Sequence, residues 1–232
     1  MKLERDGFTL VELIITMAVG MMVLGVVLTF FWHQQKVSFT ENAVVEMQQG
    51  ARTGLSLMTR EIRMAGYDPD GILDGILDMA IQTANADEIV FNTAHVDSVT
   101  NTLTGNILRI RYAVGGDGNL GRATVVDAPG TVTPFGVLQT IAYNIDVLNL
   151  VYLDADGGIT ADLADIRAVQ ITLVSRSGDT VSNFFLGGSD AQVAYKNLQG
   201  EDIFTPDPGQ RFRRTVLYNT SMCRNLGLGE NF

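Results

Sequence analysis

An α+β fold, with one long N-terminal helix packed on a mainly antiparallel sheet, follows from three features of the sequence. Residues 8–32 form one apolar block. A helical-period apolar stripe continues to about Ala65, with no proline before Pro69. From about residue 86, β-branched and aromatic runs alternate with turn clusters.

The apolar block reads FTLVELIITMAVGMMVLGVVLTFFW, with Glu12 as its one charge. About 25 residues of helix span roughly 37 Å, more than the ~30 Å of a bilayer's hydrocarbon. Fourteen of these positions are Leu, Ile, Val or Phe. At about −0.4 kcal/mol each they outweigh the cost of one acidic residue near a membrane end, at most about +3 kcal/mol. A cleaved secretory signal would have a shorter apolar core and an A-x-A-like site, and neither is present after this block. Lys2 and Arg5 precede the span and only Lys36 soon follows it. That bias places the N-terminus in the cytoplasm and the remainder outside.

Beyond Trp32 the helical period persists in polar company. Val37, Val44, Met47, Ala51, Leu55, Met58, Ile62 and Ala65 recur mostly at three- and four-residue steps, while Gln48, Arg52, Arg60 and Arg63 fall largely off them. This stripe predicts an amphipathic helix over 33–67 that docks on a globular domain at 68–232. Kinks are expected at Gly20, Gly25, Gly50 or Gly54. Gly66 reads as a helix cap and DPDG as a turn.

The strand-like runs are DEIVFNTA, ILRIRYAV, IAYNIDVLNLVYLDA, RAVQITLVSR and RFRRTVLYNTS. Turn clusters at 115–119, 127–130, 154–158 and 205–210 separate them. Residues 159–169 read as a loop or a short helix leading into a strand.

The formal net charge of −10 disfavours nucleic-acid binding, which needs clustered cations. Arg211, Arg213 and Arg214 are the one basic candidate, read as a solvated strand face. Cys223 is a lone cysteine and reads as a small buried residue. His33 and His95 are far apart in sequence. There is no G-x-S-x-G elbow, P-loop or paired-His motif, so an enzyme is not expected and neither is a cofactor. Asp154 and Asp156 resemble the start of a calcium loop, with Asp162 and Asp165 nearby. Position twelve holds Asp165 where an EF-hand has glutamate, so a hairpin turn is the favoured reading.

The start of the chain carries a more specific signal. The leader MKLERDG ends in Gly7, Phe8 follows, and G-F-T-L-V-E-L abuts the apolar helix. In this the sequence resembles the type IV pilin family. The resemblance implies that residues 1–7 are a prepilin leader, cleaved between Gly7 and Phe8 by a membrane prepilin peptidase, and that Phe8 is then N-methylated. It gives Glu12 the role of approaching the N-terminal amine of a neighbouring subunit during assembly.

The segment QQGARTGLSLMTREIRMAGY, ending at Arg63-Met64-Ala65-Gly66-Tyr67, is similar to the PilW minor pilins, relatives of the GspJ pseudopilin of type II secretion. Leu120-Gly121-Arg122, the run from Ile141 to Tyr152, Ile166-Arg167-Ala168-Val169 and Arg224-Asn225-Leu226 follow the same order. The resemblance implies a minor pilin of pilus initiation and assembly, at the tip, or alternatively a pseudopilin. Its partners would be other minor and major pilins. It would sit as a single-pass protein of a bacterial inner membrane with its domain in the periplasm, and pass from there to the pilus. Mass spectrometry of membrane-extracted protein is expected to show a chain beginning at methylated Phe8. An intact Met1 start in a peptidase-positive host would overturn the cleavage.

Overall fold

The structure is a computed structural model. It describes residues 9–69, 71, 73, 79–178, 193–208, 210 and 212–226, without the side chains of Lys36 and Thr40. Two compact units are present, Met1–Asn42 and Ala43–Phe232.

Helix α1 (Leu10–Ile62) runs through both units without a break in assignment at Gly20, Gly25, Gly50 or Gly54. In the first unit the apolar block is long and apolar enough to cross a membrane. None of its most apolar stretch is buried by the chain. Thr16 and Thr29 donate their hydroxyls to the carbonyls of Glu12 and Gly25, 2.9 and 2.8 Å away. Such bonds satisfy a hydroxyl inside hydrocarbon without a partner chain.

In the second unit the stripe does what its period predicts. Met47, Ala51, Leu55, Met58 and Ile62 are buried, and Ala65 carries the stripe into the turn that follows. The helix closes at Ile62, a little before the 67 that the pattern suggests. Gly66 turns the chain with φ +72° and donates its N–H to the Asn92 carbonyl, 2.9 Å. A Cβ at Gly66 would lie 2.7 Å from Leu226 Cδ2, so glycine is required there twice over. Gly54 serves close approach instead of a kink. Its missing Cβ would stand 3.2 Å from both Ala142 Cβ and Leu120 Cδ2.

The sheet against which the stripe packs has antiparallel order β1 (Ile81–Ala84), β2 (Glu88–Val96), β3 (Leu103–Val114), β4 (Leu120–Asp127) and β5 (Gln139–Ala142). A second antiparallel sheet has the order β10 (Arg214–Met222), β7 (Ala168–Arg176), β6 (Ile145–Leu153). Strands β8 (Tyr195–Lys196) and β9 (Asp202–Phe204) form a small ribbon. Alternate residues of both large sheets share the core with the helix. Ile89, Phe91, Ile110, Tyr112 and Leu120 come from the first, and Leu148, Leu150, Val169, Ile171 and Leu173 from the second. The sheets are joined where the Leu150 N–H donates to the Ala86 carbonyl, 2.7 Å, and the Tyr152 hydroxyl to that of Asn85, 2.8 Å.

The α+β class is present as read, and four of the five strand runs each contain one strand. The run over 141–155 differs. It divides at Asn144, whose φ of +57° ends β5 and starts β6 in the other sheet. Asparagine tolerates that left-handed conformation better than most residues, and a strand cannot continue through it. Strand β4 was not legible as a strand, because Gly121, Arg122 and Asp127 dilute its β-branched content. Residues 160–167 are turn and loop, with no helix.

Met58→Ala is expected to cost about 2–5 kcal/mol in denaturation of the detergent-solubilised chain, because a fully buried side chain leaves a cavity. Gly50→Ala is expected to cost nothing or to add up to ~1 kcal/mol. Its Cβ would meet nothing within 4 Å, and alanine suits a helix interior better.

Candidate assembly site

The candidate residues Gly7 and Phe8 lie outside the described residues. Glu12 is described, and it closes a capping box with Thr9. The Thr9 backbone N–H donates to Glu12 Oε2 at 3.0 Å, the Thr9 hydroxyl to the same oxygen at 2.9 Å, and the Glu12 N–H to Thr9 Oγ1 at 3.3 Å. The pattern is the T-x-x-E signature of a helix start. It was present in the sequence as Thr9-Leu-Val-Glu12, beside the membrane-end reading. The box satisfies early amide groups of the helix and places the carboxylate at its positive end. Both bonds to the carboxylate fall on Oε2. Among the described residues Oε1 accepts none, so it is the oxygen free to meet a cation.

The second unit contains a polar cluster that the sequence did not disclose. Glu61, at the end of α1, accepts from Arg122 on β4 through Nε and Nη2, both at 2.8 Å. Tyr112 on β3 donates its hydroxyl to the same carboxylate at 2.5 Å. Tyr112 and Arg122 face each other in the β3–β4 register, so two neighbouring strands grip one helical residue. Burial, reinforced by the Glu61 charge, pushes the Tyr112 hydroxyl far above its usual range. Burial weighs against the Arg122 charge, but Glu61 more than offsets it and holds the guanidinium protonated. On the other flank of the helix, Asn219 donates to Thr59 Oγ1 at 2.9 Å and Ser221 to the Thr59 carbonyl at 3.0 Å. Residues 61 and 160 positions apart meet here, a separation that no local pattern announces.

Further arginines fasten the domain. Arg109 and Asp127, both nearly sealed from solvent, pair at 3.1 Å. Arg109 also donates to the Thr133 carbonyl and lies over Phe135. Arg214, read above as one of three residues of a solvated basic face, is instead buried in an ion pair with Asp146 at 2.6 Å and stacks on Phe204. A basic residue on a strand projects to one face or the other by parity alone, and here the face is inward. Arg213 is exposed, and Arg211 lies outside the described residues.

The Asp154 carboxylate accepts the N–H groups of Asp156 and Gly158 at 2.9 and 2.7 Å, the bonding of a tight turn. Asp162 accepts the N–H of Ala164. Among the described residues no group of three or more His, Cys, Asp or Glu is placed to hold a metal ion. His95 bonds Thr104 at 2.9 Å. Cys223 is buried, and its thiol is pushed up to about 12 by that burial, which keeps it protonated and unreactive.

Residues 4–28 match the prokaryotic N-terminal methylation motif. The fold is similar to that of a type IV-like pilin, TTHA1219, from Thermus thermophilus, with a TM-score of 0.52 at 9% identity. The likeness covers 77% of this chain and 97% of that one. No curated protein matches the chain by sequence. The chain thus carries a prepilin-type motif on a type IV pilin-like fold.

Arg122→Ala is expected to cost about 1–3 kcal/mol in chemical denaturation, since it strips the Glu61 carboxylate of its cation in a largely buried setting. Lys196→Ala, which breaks the exposed pair with Asp202, is expected to change stability by less than about 1 kcal/mol.

Proposed function

We propose that the chain is a minor pilin that takes part in initiating and assembling a type IV pilus, at or near its tip. The observation that carries this reading is a methylation motif over residues 4–28 on a chain with a pilin-like fold. In this reading a prepilin peptidase removes residues 1–7 and Phe8 is methylated. The apolar helix then holds the protein in the inner membrane, with the domain in the periplasm, until it joins other pilins. The role is structural and not catalytic.

Glu12 is suited to the joining step. An unpaired carboxylate and an unpaired ammonium are both costly in a lipid-like environment, so pairing them across staggered subunits relieves both. Thr9 fixes one Glu12 oxygen and leaves the other for the Phe8 amine of a neighbour. The contact would therefore form without dismantling the helix cap.

A pseudopilin of the GspJ kind is the alternative. The sequence Arg63-Met64-Ala65-Gly66-Tyr67, similar to that of PilW proteins, favours the pilus. Deletion of the gene followed by pilus imaging and assay of secreted proteins separates the two. Loss of pili with normal secretion supports the minor pilin, and the reverse supports the pseudopilin.

Glu12→Ala is expected to leave membrane insertion unchanged or improved, because it removes an insertion penalty. Pili are expected to be fewer and of ordinary shape. Electron-microscopic pilus counts beside a membrane-fraction immunoblot decide it, and wild-type counts at normal protein level would remove Glu12 from assembly.

A further inference from the structure

Arg52 and Arg60 lie on one side of the domain half of α1, and Arg63 follows in the turn just after its last residue. At 100° and 1.5 Å per residue Arg52 and Arg60 fall about 80° apart and roughly 12 Å along the helix. With Ser56, Thr59 and Asn219 of β10 the three arginines line a groove of about 540 Å³. All three arginines are exposed. Among the described residues none takes part in an ion pair or a side-chain hydrogen bond, whereas Arg109, Arg111, Arg122, Arg176 and Arg214 all pair with carboxylates.

The helix itself does not compensate Arg52 and Arg60. No Asp or Glu stands three or four residues from either. Three uncompensated cations along a groove, in a chain of net charge −10, form a local site for carboxylates.

The same domain carries the complementary surface. The segment joining β6 to β7 holds Asp154, Asp156, Asp162 and Asp165, with no Lys or Arg until Arg167. Asp156, Asp162 and Asp165 are exposed. Among the described residues Arg167 forms no ion pair with them; its guanidinium donates to the Ala164 and Ile166 carbonyls. The groove and the turn do not pair with each other within one chain.

We propose that the arginine groove of one copy receives the acidic turn 154–165 of a second copy. Because the two surfaces differ, the contact is heterologous. The inference goes beyond the filament reading above by adding a contact between two copies of this chain, and only its biological setting rests on that reading. A nucleic acid could meet three arginines, but the net charge of the chain repels a polyanion at longer range.

The test uses the full chain in detergent micelles, with benzoylphenylalanine in place of Ser56. Photo-cross-linking is expected to join Ser56 to residues 154–165 of a second copy, as mapped by mass spectrometry. Self-association is expected to fall about tenfold or more in the R52E/R60E/R63E variant, and likewise on raising salt from about 20 to about 500 mM. Mixing that variant with a D156K/D162K/D165K variant is expected to restore association, which a merely misfolded protein could not do. Cross-links to another region, to added single-stranded DNA, or to none would overturn the proposal, as would association indifferent to both charge reversals. If these fail while methylated chain is recovered in sheared filaments, only the inference falls. If they succeed while the chain is absent from filaments, the filament reading falls and the contact stands.

Discussion

The Glu61 carboxylate is gripped from two strands at once, and the seating of the helix on its domain depends on that grip. Apolar packing of Met47, Ala51, Leu55, Met58 and Ile62 supplies the larger energy, but it is not directional. A stripe with period near 3.5 can slide by one turn over a sheet and still bury leucine and methionine. Arg122 and Tyr112 cannot follow such a slide without stranding a carboxylate among apolar neighbours. The cluster therefore selects one register of helix on sheet, in the way that buried polar groups set register elsewhere. Thr59, held by Asn219 and Ser221 on the other flank, makes the same choice against the second sheet.

With the helix so placed, two properties of one element can coexist. Its first part is apolar nearly all round, and its most apolar stretch is unburied among the described residues. Its second part is apolar on one side only and is covered by a domain. An all-round apolar helix belongs in lipid or among like helices. A one-sided helix belongs at the edge of a core. The change falls within the one helix Leu10–Ile62. The capping box at Thr9 and Glu12 starts that helix and, among the described residues, engages one oxygen of the carboxylate.

The distribution of charge follows a related economy. Sheet arginines are spent within the domain, where Arg109, Arg122, Arg176 and Arg214 fasten loops and strands to carboxylates. Among the described residues the arginines beside β10 and the aspartates after β6 form no ion pairs, although Asp154 and Asp162 accept backbone N–H groups of their own turn. In an acidic chain such cations give the domain a surface with sign and direction.

Much of this was legible in the sequence, for one reason: it is written in local period. The apolar block, the stripe from Met47 to Ala65, the cap at Gly66, the five strongest strands and the G-F-T-L-V-E-L start each depend on residues within a turn or two of one another. What the sequence left unresolved depends on residues far apart. The partition of strands into two sheets turned on the left-handed Asn144, and the inward face of Arg214 on strand parity. The meeting of Glu61 with Arg122 and Tyr112, and of Thr59 with Asn219, required the chain to fold back across most of its length. Periodicity tells which face of an element is apolar. Only the packed tertiary structure decides which polar residues those faces bring together, because that choice is made by the geometry of contact and not by the order of the chain.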